Sequence, residues 1–283
     1  MENHHTTAPV PQPFPNLKGA ILLMLGGWGL MFLTGAAVRP FLSMEGMTAA
    51  GNIVGLSLMT WFGVRKARAP AVEVLSLRPF PPRLLAPLFL LAFSGSILVA
   101  EIGNLAEEIF PIPPSLRDLF LRILLAENWT EFLQRAALIV FIAPVTEELM
   151  FRGVFQHGLV KNYGPKKGIA IASICFGTFH LIPWQALGAT LVGILLGIVV
   201  TRTGSILAGM VLHAIWNLLP LLAVSALKNL SLPGYALNLD TIAHIPAPAI
   251  VLALGIFLVT LHTFWCQTAS KTAGPKPPSG SSQ

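Results

Sequence analysis

Residues 138–152 read Leu138-Ile139-Val140-Phe141-Ile142-Ala143-Pro144-Val145-Thr146-Glu147-Glu148-Leu149-Met150-Phe151-Arg152. Two adjacent carboxylates, with an arginine four residues beyond the second, stand inside an otherwise apolar helical run. An ionised side chain near the bilayer centre costs roughly 2.5–3.5 kcal/mol on insertion scales, so the first reading of such a residue is functional. The run also decides the fold class, because comparable apolar stretches recur along the chain.

Of 283 residues, 54% are hydrophobic and 11% are charged, with a mean hydropathy of +0.72. Ordinary soluble domains carry about 25% charged residues. The composition therefore predicts an all-α, polytopic membrane bundle. The net charge of +6 does not indicate nucleic acid, because Lys and Arg fall in short clusters beside apolar segments without interleaved aromatics. Cys175 and Cys266 both lie in apolar segments, which excludes a disulfide framework and a Cys-rich zinc site.

A hydrocarbon core about 30 Å thick takes roughly 20 apolar residues per helix. Eight segments meet or approach that length, near 19–38, 44–64, 84–103, 132–157, 168–182, 185–201, 204–224 and 247–266. The first is too long for a signal-peptide core and is expected to be retained. Residues 18–266 form one transmembrane domain on this reading, between polar tails at 1–17 and 267–283 that are expected to be disordered. With eight helices, the clusters Arg65/Lys66/Arg68/Arg78/Arg83, Lys161/Lys166/Lys167, Arg202 and Lys271/Lys276 share one side. The positive-inside rule makes that side, and both termini, cytoplasmic. Between 111 and 127, Leu116, Leu119, Phe120, Ile123 and Leu124 recur at helical spacing behind Pro113-Pro114, with Ser115 and Asp118 as a start signal. That segment reads as an interfacial amphipathic helix or as a loop helix packed on the bundle. Gly193 and Gly197 form a small-xxx-small spacing that favours close helix packing.

The intramembrane polar residues gather in the second half, between about 130 and 222. Besides Glu147, Glu148 and Arg152 there are His180, at the end of Phe176-Gly177-Thr178-Phe179-His180, and His213 with Asn217 on a third helix. Counting 1.5 Å per residue puts Glu147, His180 and His213 at comparable depth. Glu148 and Arg152 are an i, i+4 pair in the favourable order, whereas Glu147 points about 100° away. Arg152 thus neutralises Glu148 and leaves Glu147 for proton chemistry. A buried carboxylate suits a general base, histidines hold water or a metal, and an Asn amide stabilises an oxyanion. Taken singly, each of these residues is as well explained by interhelical hydrogen bonding. Their coincidence on three helices favours hydrolysis. Glu101, Glu107, Glu108 and His157 read as interfacial groups outside the set.

Glu147-Glu148-Leu149-Met150-Phe151-Arg152 resembles the Glu-Glu-x-x-x-Arg motif of the CPBP family of CAAX prenyl endopeptidases and bacteriocin-processing intramembrane proteases. Phe176 to His180 is similar to its Phe-x-x-x-His motif, and His213 to Asn217 to its His-x-x-x-Asn motif. The resemblance implies an eight-helix bundle with an internal polar catalytic cavity. It assigns water activation to Glu147, completion of the site to His180 and His213, and the oxyanion to Asn217, with Glu148 and Arg152 in support. Glu147, His180 and His213 are the metal ligands if a divalent metal such as zinc is used. His-Glu-x-x-His is absent, and Glu147 does not easily serve as both ligand and base, so the reading leans to metal-independent catalysis.

The expected activity is endoproteolysis of a membrane-associated or lipid-anchored polypeptide, with lipid and that substrate as partners and no nucleic acid. A bacterial inner membrane is the expected setting. The rivals are a proton-coupled transporter, disfavoured because polar groups occupy one half only, and a catalytically silent scaffold of the same fold.

Overall fold

The computed structural model describes residues 12–225 and 242–269, and every regular element among them is helical. The chain runs through α1 (Leu17–Val38), α2 (Met44–Ala67), α3 (Pro82–Ile109), α4 (Pro114–Leu124) and α5 (129–163). It continues through α6 (Pro165–Phe179), α7 (Pro183–Thr203), α8 (Ile206–Ser225) and α9 (Ala247–Thr268). Six of these, α1, α2, α3, α7, α8 and α9, have the length and apolarity to cross a membrane. The other two segments expected to span are α5 and α6, the helices that carry the Glu-Glu and Phe-x-x-x-His motifs. Charges in its middle set α5 apart from an ordinary span. α6 stops after 15 residues, where Leu181 adopts φ 61° and Pro183 opens α7.

Local chemistry fixes the ends. Asn16 caps α1 by accepting from Gly19 N at 2.9 Å, and Asn128 caps α5 by accepting from Glu131 N at 3.0 Å. Gly204, at φ 62°, ends α7. The start signal expected at Ser115 is not used. Pro113 occupies the cap position without a side-chain bond and Pro114 opens the helix, because a proline has its φ preset and no N–H to satisfy. α4 buries none of its residues. It is tied down by an Arg117–Glu107 ion pair and by Ser225 Oγ donating to Leu124 O at 2.6 Å.

α5 is wound unevenly, with π-helical stretches at Ala137–Ile142 and Leu149–Phe155. Pro144 lies just beyond the first, and its ring and missing N–H disfavour the regular i→i−4 ladder there. From Met150 to Gln156 every residue of α5 is buried. One apolar cluster, including Leu23, Leu56, Phe151, Phe155 and Phe176, packs α1 and α2 against α5 and α6. A second, including Leu91, Leu196, Leu212 and Phe264, joins α3, α7, α8 and α9. Gly193 and Gly197 of α7 serve packing, as their spacing predicts. A Cβ on Gly197 would lie 2.8 Å from both Gln156 Oε1 and Ile169 Cγ2, and one on Gly193 3.1 Å from Ser173 Cβ.

The ends of the bundle differ in charge. Lys18, Arg65, Lys66, Arg68, Arg78, Arg83, Lys161, Lys166, Lys167 and Arg202 collect at one, where Glu73 is the sole carboxylate among the described residues. Lys161 Nζ lies 3.0 Å from Glu73 and holds its carboxyl below the usual range. Residues 12–16, read from composition as part of the N-terminal tail, are held at this end. Asn162 Nδ2 donates to Pro13 O at 2.7 Å and Pro15 O at 3.3 Å, and Leu17 N to Tyr163 Oη at 3.2 Å. Residues 1–11 and 270–283, the remainder of the expected tails, lie outside the described residues. At the opposite end, Glu101 is buried and accepts from Ile245 N at 2.9 Å and Asn104 Nδ2 at 3.0 Å, with His244 Nδ1 at 2.7 Å. Glu101, expected as an interfacial acid, is thus part of a partly buried clasp.

Candidate active site

Glu148 and Arg152 form the pair that their spacing predicts. Arg152 Nη1 donates to Glu148 Oε1 at 2.8 Å, with Glu148 0% and Arg152 3% exposed. A bond of this kind is charge-assisted, and its isolation from water makes each partner dependent on the other. The unpredicted member is His213 of α8, whose Nδ1 lies 3.0 Å from the same Glu148 oxygen. α8 comes this close because of Gly209, where a Cβ would fall 3.0 Å from Glu148 Oε2.

The partners fix the His213 ring. A carboxylate that already accepts from Arg152 is an acceptor, so His213 Nδ1 donates, and in the neutral imidazole Nε2 carries the lone pair. That atom faces Glu147 Oε2 across 3.7 Å. The separation exceeds a hydrogen bond and invites a bridging water. The two glutamates, which diverge as adjacent helical residues must, therefore meet the two nitrogens of one imidazole. Glu147 is 8% exposed and His213 3%.

His180 lies at the end of α6, beyond its last helical residue. Its Nδ1 donates to Phe176 O at 2.9 Å; the acceptor is a carbonyl, so Nε2 is again the lone-pair atom of the neutral ring. Phe176 joins the site together. Arg152 lies over its face, 4.2 Å from the centroid, and the rings of His180 and His213 meet it edge-on at centroid distances of 5.0 and 5.6 Å. The sequence singled out Phe176 only as part of a motif; here it aligns the guanidinium and both imidazoles.

Asn217 is set by the irregular winding of α5. Ala143 N donates to Leu138 O, so it is committed away from Ile139, and the residue five beyond Ile139 is Pro144, which has no N–H. The Ile139 carbonyl is left without its helical donor, and Asn217 Nδ2 supplies one at 2.9 Å. One of the two amide hydrogens is thereby used and the other remains.

Spacing also reveals a residue passed over in the sequence. Gln156 follows Arg152 by four, extending the 148/152 stripe, and its Nε2 donates to Gly197 O at 3.1 Å and Thr201 Oγ1 at 2.9 Å. Arg152 Nη2 points likewise to Gly193 O at 3.4 Å. Gly193 and Gly197 of α7 thus receive two successive polar side chains of α5. Among the described residues no three His, Cys, Asp or Glu side chains are grouped to hold a metal ion. Glu147, His180 and His213 are not assembled as a ligand set.

Residues 128–219 match the model of a family described as Type II CAAX prenyl endopeptidase Rce1-like. The matched span contains every residue of the three motifs and agrees with the CPBP resemblance. No curated protein and no solved structure matches the chain.

Proposed function

We propose, from the match of residues 128–219 to an intramembrane endopeptidase family, that this chain cleaves a peptide bond of a membrane-associated or lipid-anchored polypeptide with glutamate-activated water. The observation that carries the reading is the 3.7 Å separation of Glu147 Oε2 from His213 Nε2. With Glu147 ionised and His213 neutral both atoms accept, and one water donating to each fits between them.

As the water oxygen attacks the scissile carbonyl carbon, its proton passes to Glu147 and the carbonyl becomes an oxyanion. Glu147 then delivers that proton to the leaving nitrogen as the C–N bond breaks, giving an acid and an amine. Asn217 keeps one N–H for the oxyanion while the other holds Ile139 O. His180, with Nδ1 anchored on Phe176 O, presents Nε2 to water and substrate. Glu148 and Arg152 touch no reacting atom; they position His213 and fix its tautomer. Burial keeps bulk water from the intermediate.

The setting is a bacterial inner membrane with the basic end, and with it both termini, in the cytoplasm. The test compares membrane polypeptides from cells carrying the wild type and Glu147→Gln at equal expression. A polypeptide shortened only with the wild type supports the reading. If none changes length, a carrier or scaffold role replaces it. Chelation of the active protein followed by metal analysis tests metal-free catalysis separately: undiminished cleavage supports it, and restoration by one divalent ion overturns it.

A further inference from the structure

A groove of about 500 Å³ runs between α1 and α2 at the basic end, its lining including Phe14, Lys18, Leu22, Met59, Phe62 and Lys66 and no carboxylate. Its floor is apolar and faces outward, with Leu22 58% and Phe62 44% exposed. Both helices have the length and apolarity of membrane spans, so this surface meets hydrocarbon. Lys18 is the second residue of α1 and Lys66 the last but one of α2. Their ammonium groups therefore stand where hydrocarbon gives way to headgroups. Lys66 Nζ is held over the groove, 4.9 Å from the Phe14 ring and 5.6 Å from the Phe62 ring. The N-terminus of α1 adds its own partial positive charge.

We propose that this groove binds one anionic phospholipid from the leaflet at the basic end, the phosphate between Lys18 and Lys66 and an acyl chain along Leu22, Met59 and Phe62. Basic pockets between membrane helices are suited to acidic headgroups. A zwitterionic lipid would fill the same floor but bring no net charge to two lysines that lack a carboxylate in the groove. The occupant would also bear on α5, because residues 13–17, which close one wall, are bonded to Asn162 and Tyr163. This inference is independent of the catalytic reading.

The test is native mass spectrometry of the full-length protein in non-ionic detergent with equal phosphatidylglycerol and phosphatidylcholine. The wild type is expected to retain one phosphatidylglycerol in preference. Each lysine is worth about fivefold, so K18Q/K66Q should lower that preference about 25-fold. K166Q/K167Q, which removes the same charge at the same end outside the groove, should keep it. Leu22→Trp, which fills the groove without altering charge, should lose it. Equal retention of the two lipids by the wild type overturns the proposal. So does K18Q/K66Q behaving like K166Q/K167Q, or retention undiminished by Leu22→Trp. Circular dichroism confirms that each variant is folded before it is scored.

Discussion

Replacing Glu148 by Gln keeps the shape of the side chain and removes its charge, which strands the Arg152 guanidinium, 3% exposed, without the anion it is bonded to. Breaking a buried pair from one side costs about 3–5 kcal/mol, whereas removing both charges together is close to neutral. Arg152→Met strands the other partner, but here a second donor, His213 Nδ1, remains 3.0 Å from the Glu148 oxygen. The singles should therefore be unequal: Glu148→Gln loses the full amount, and Arg152→Met loses less because Glu148 keeps the His213 donor. The double variant E148Q/R152M should return to within about 2 kcal/mol of the wild type, a coupling of about 3 kcal/mol or more. Unfolding of purified protein in mixed micelles, followed by tryptophan fluorescence, measures all four corners of the cycle. Additive losses would refute a mutually dependent buried pair. Equal losses for the two single variants would remove His213 from the network.

Asn217→Leu leaves the Ile139 carbonyl without a donor and should destabilise by about 1–3 kcal/mol. Adding Pro144→Ala restores a backbone N–H in that turn and should recover part of the loss in the same unfolding assay, and no recovery would contradict the origin given for this contact. Gly197→Leu drives a side chain into Gln156 and Ile169 and should cost about 1–3 kcal/mol, while Gly255→Leu, where nothing lies within 4 Å, should be nearly neutral by thermal denaturation. The pKa of His244 is raised by its hydrogen bonds to Glu101 and Glu108. A raised histidine pKa means that its stabilisation is complete below the unfolded value and is lost as pH rises through the folded one. Hydrogen exchange at the Ile245 amide, corrected for intrinsic rate, should accelerate above that range in the wild type. The pH step should vanish in His244→Gln.

Much of the site was legible because its spacings are short. Glu148 and Arg152 lie four apart on one helix, and His213 and Asn217 four apart on another, so a helical reading alone predicts which side chains share a face. What stayed hidden depends on register between helices or on departures from regular winding. Nothing in the order of residues says that His213 reaches Glu148 with one nitrogen and Glu147 with the other. That depends on Gly209 letting α8 close on α5. Pro144 announces an irregularity, but that Ala143 N would pass over Ile139 O, leaving it for Asn217, follows only from the π winding. The expected spans divide for a similar reason. Hydropathy reads the six ordinary spans directly, while α5 is atypical because charges stand in its middle and α6 because it stops after 15 residues. Tail composition suggested disorder up to residue 17, yet the Pro13 and Pro15 carbonyls meet Asn162, a tertiary contact that no local property encodes.

The most direct measurement follows one shortened membrane polypeptide, found by comparing cells with and without the protein, in vesicles carrying equal amounts of purified wild type, Glu147→Gln and His213→Gln. If Glu147 takes the proton of the attacking water, Glu147→Gln should cut at a rate lower by a factor of at least about 10²–10⁴ while unfolding like the wild type. His213→Gln should be impaired in the same assay. Cleavage by Glu147→Gln at a rate within a few-fold of the wild type would contradict the assignment of Glu147 as the base.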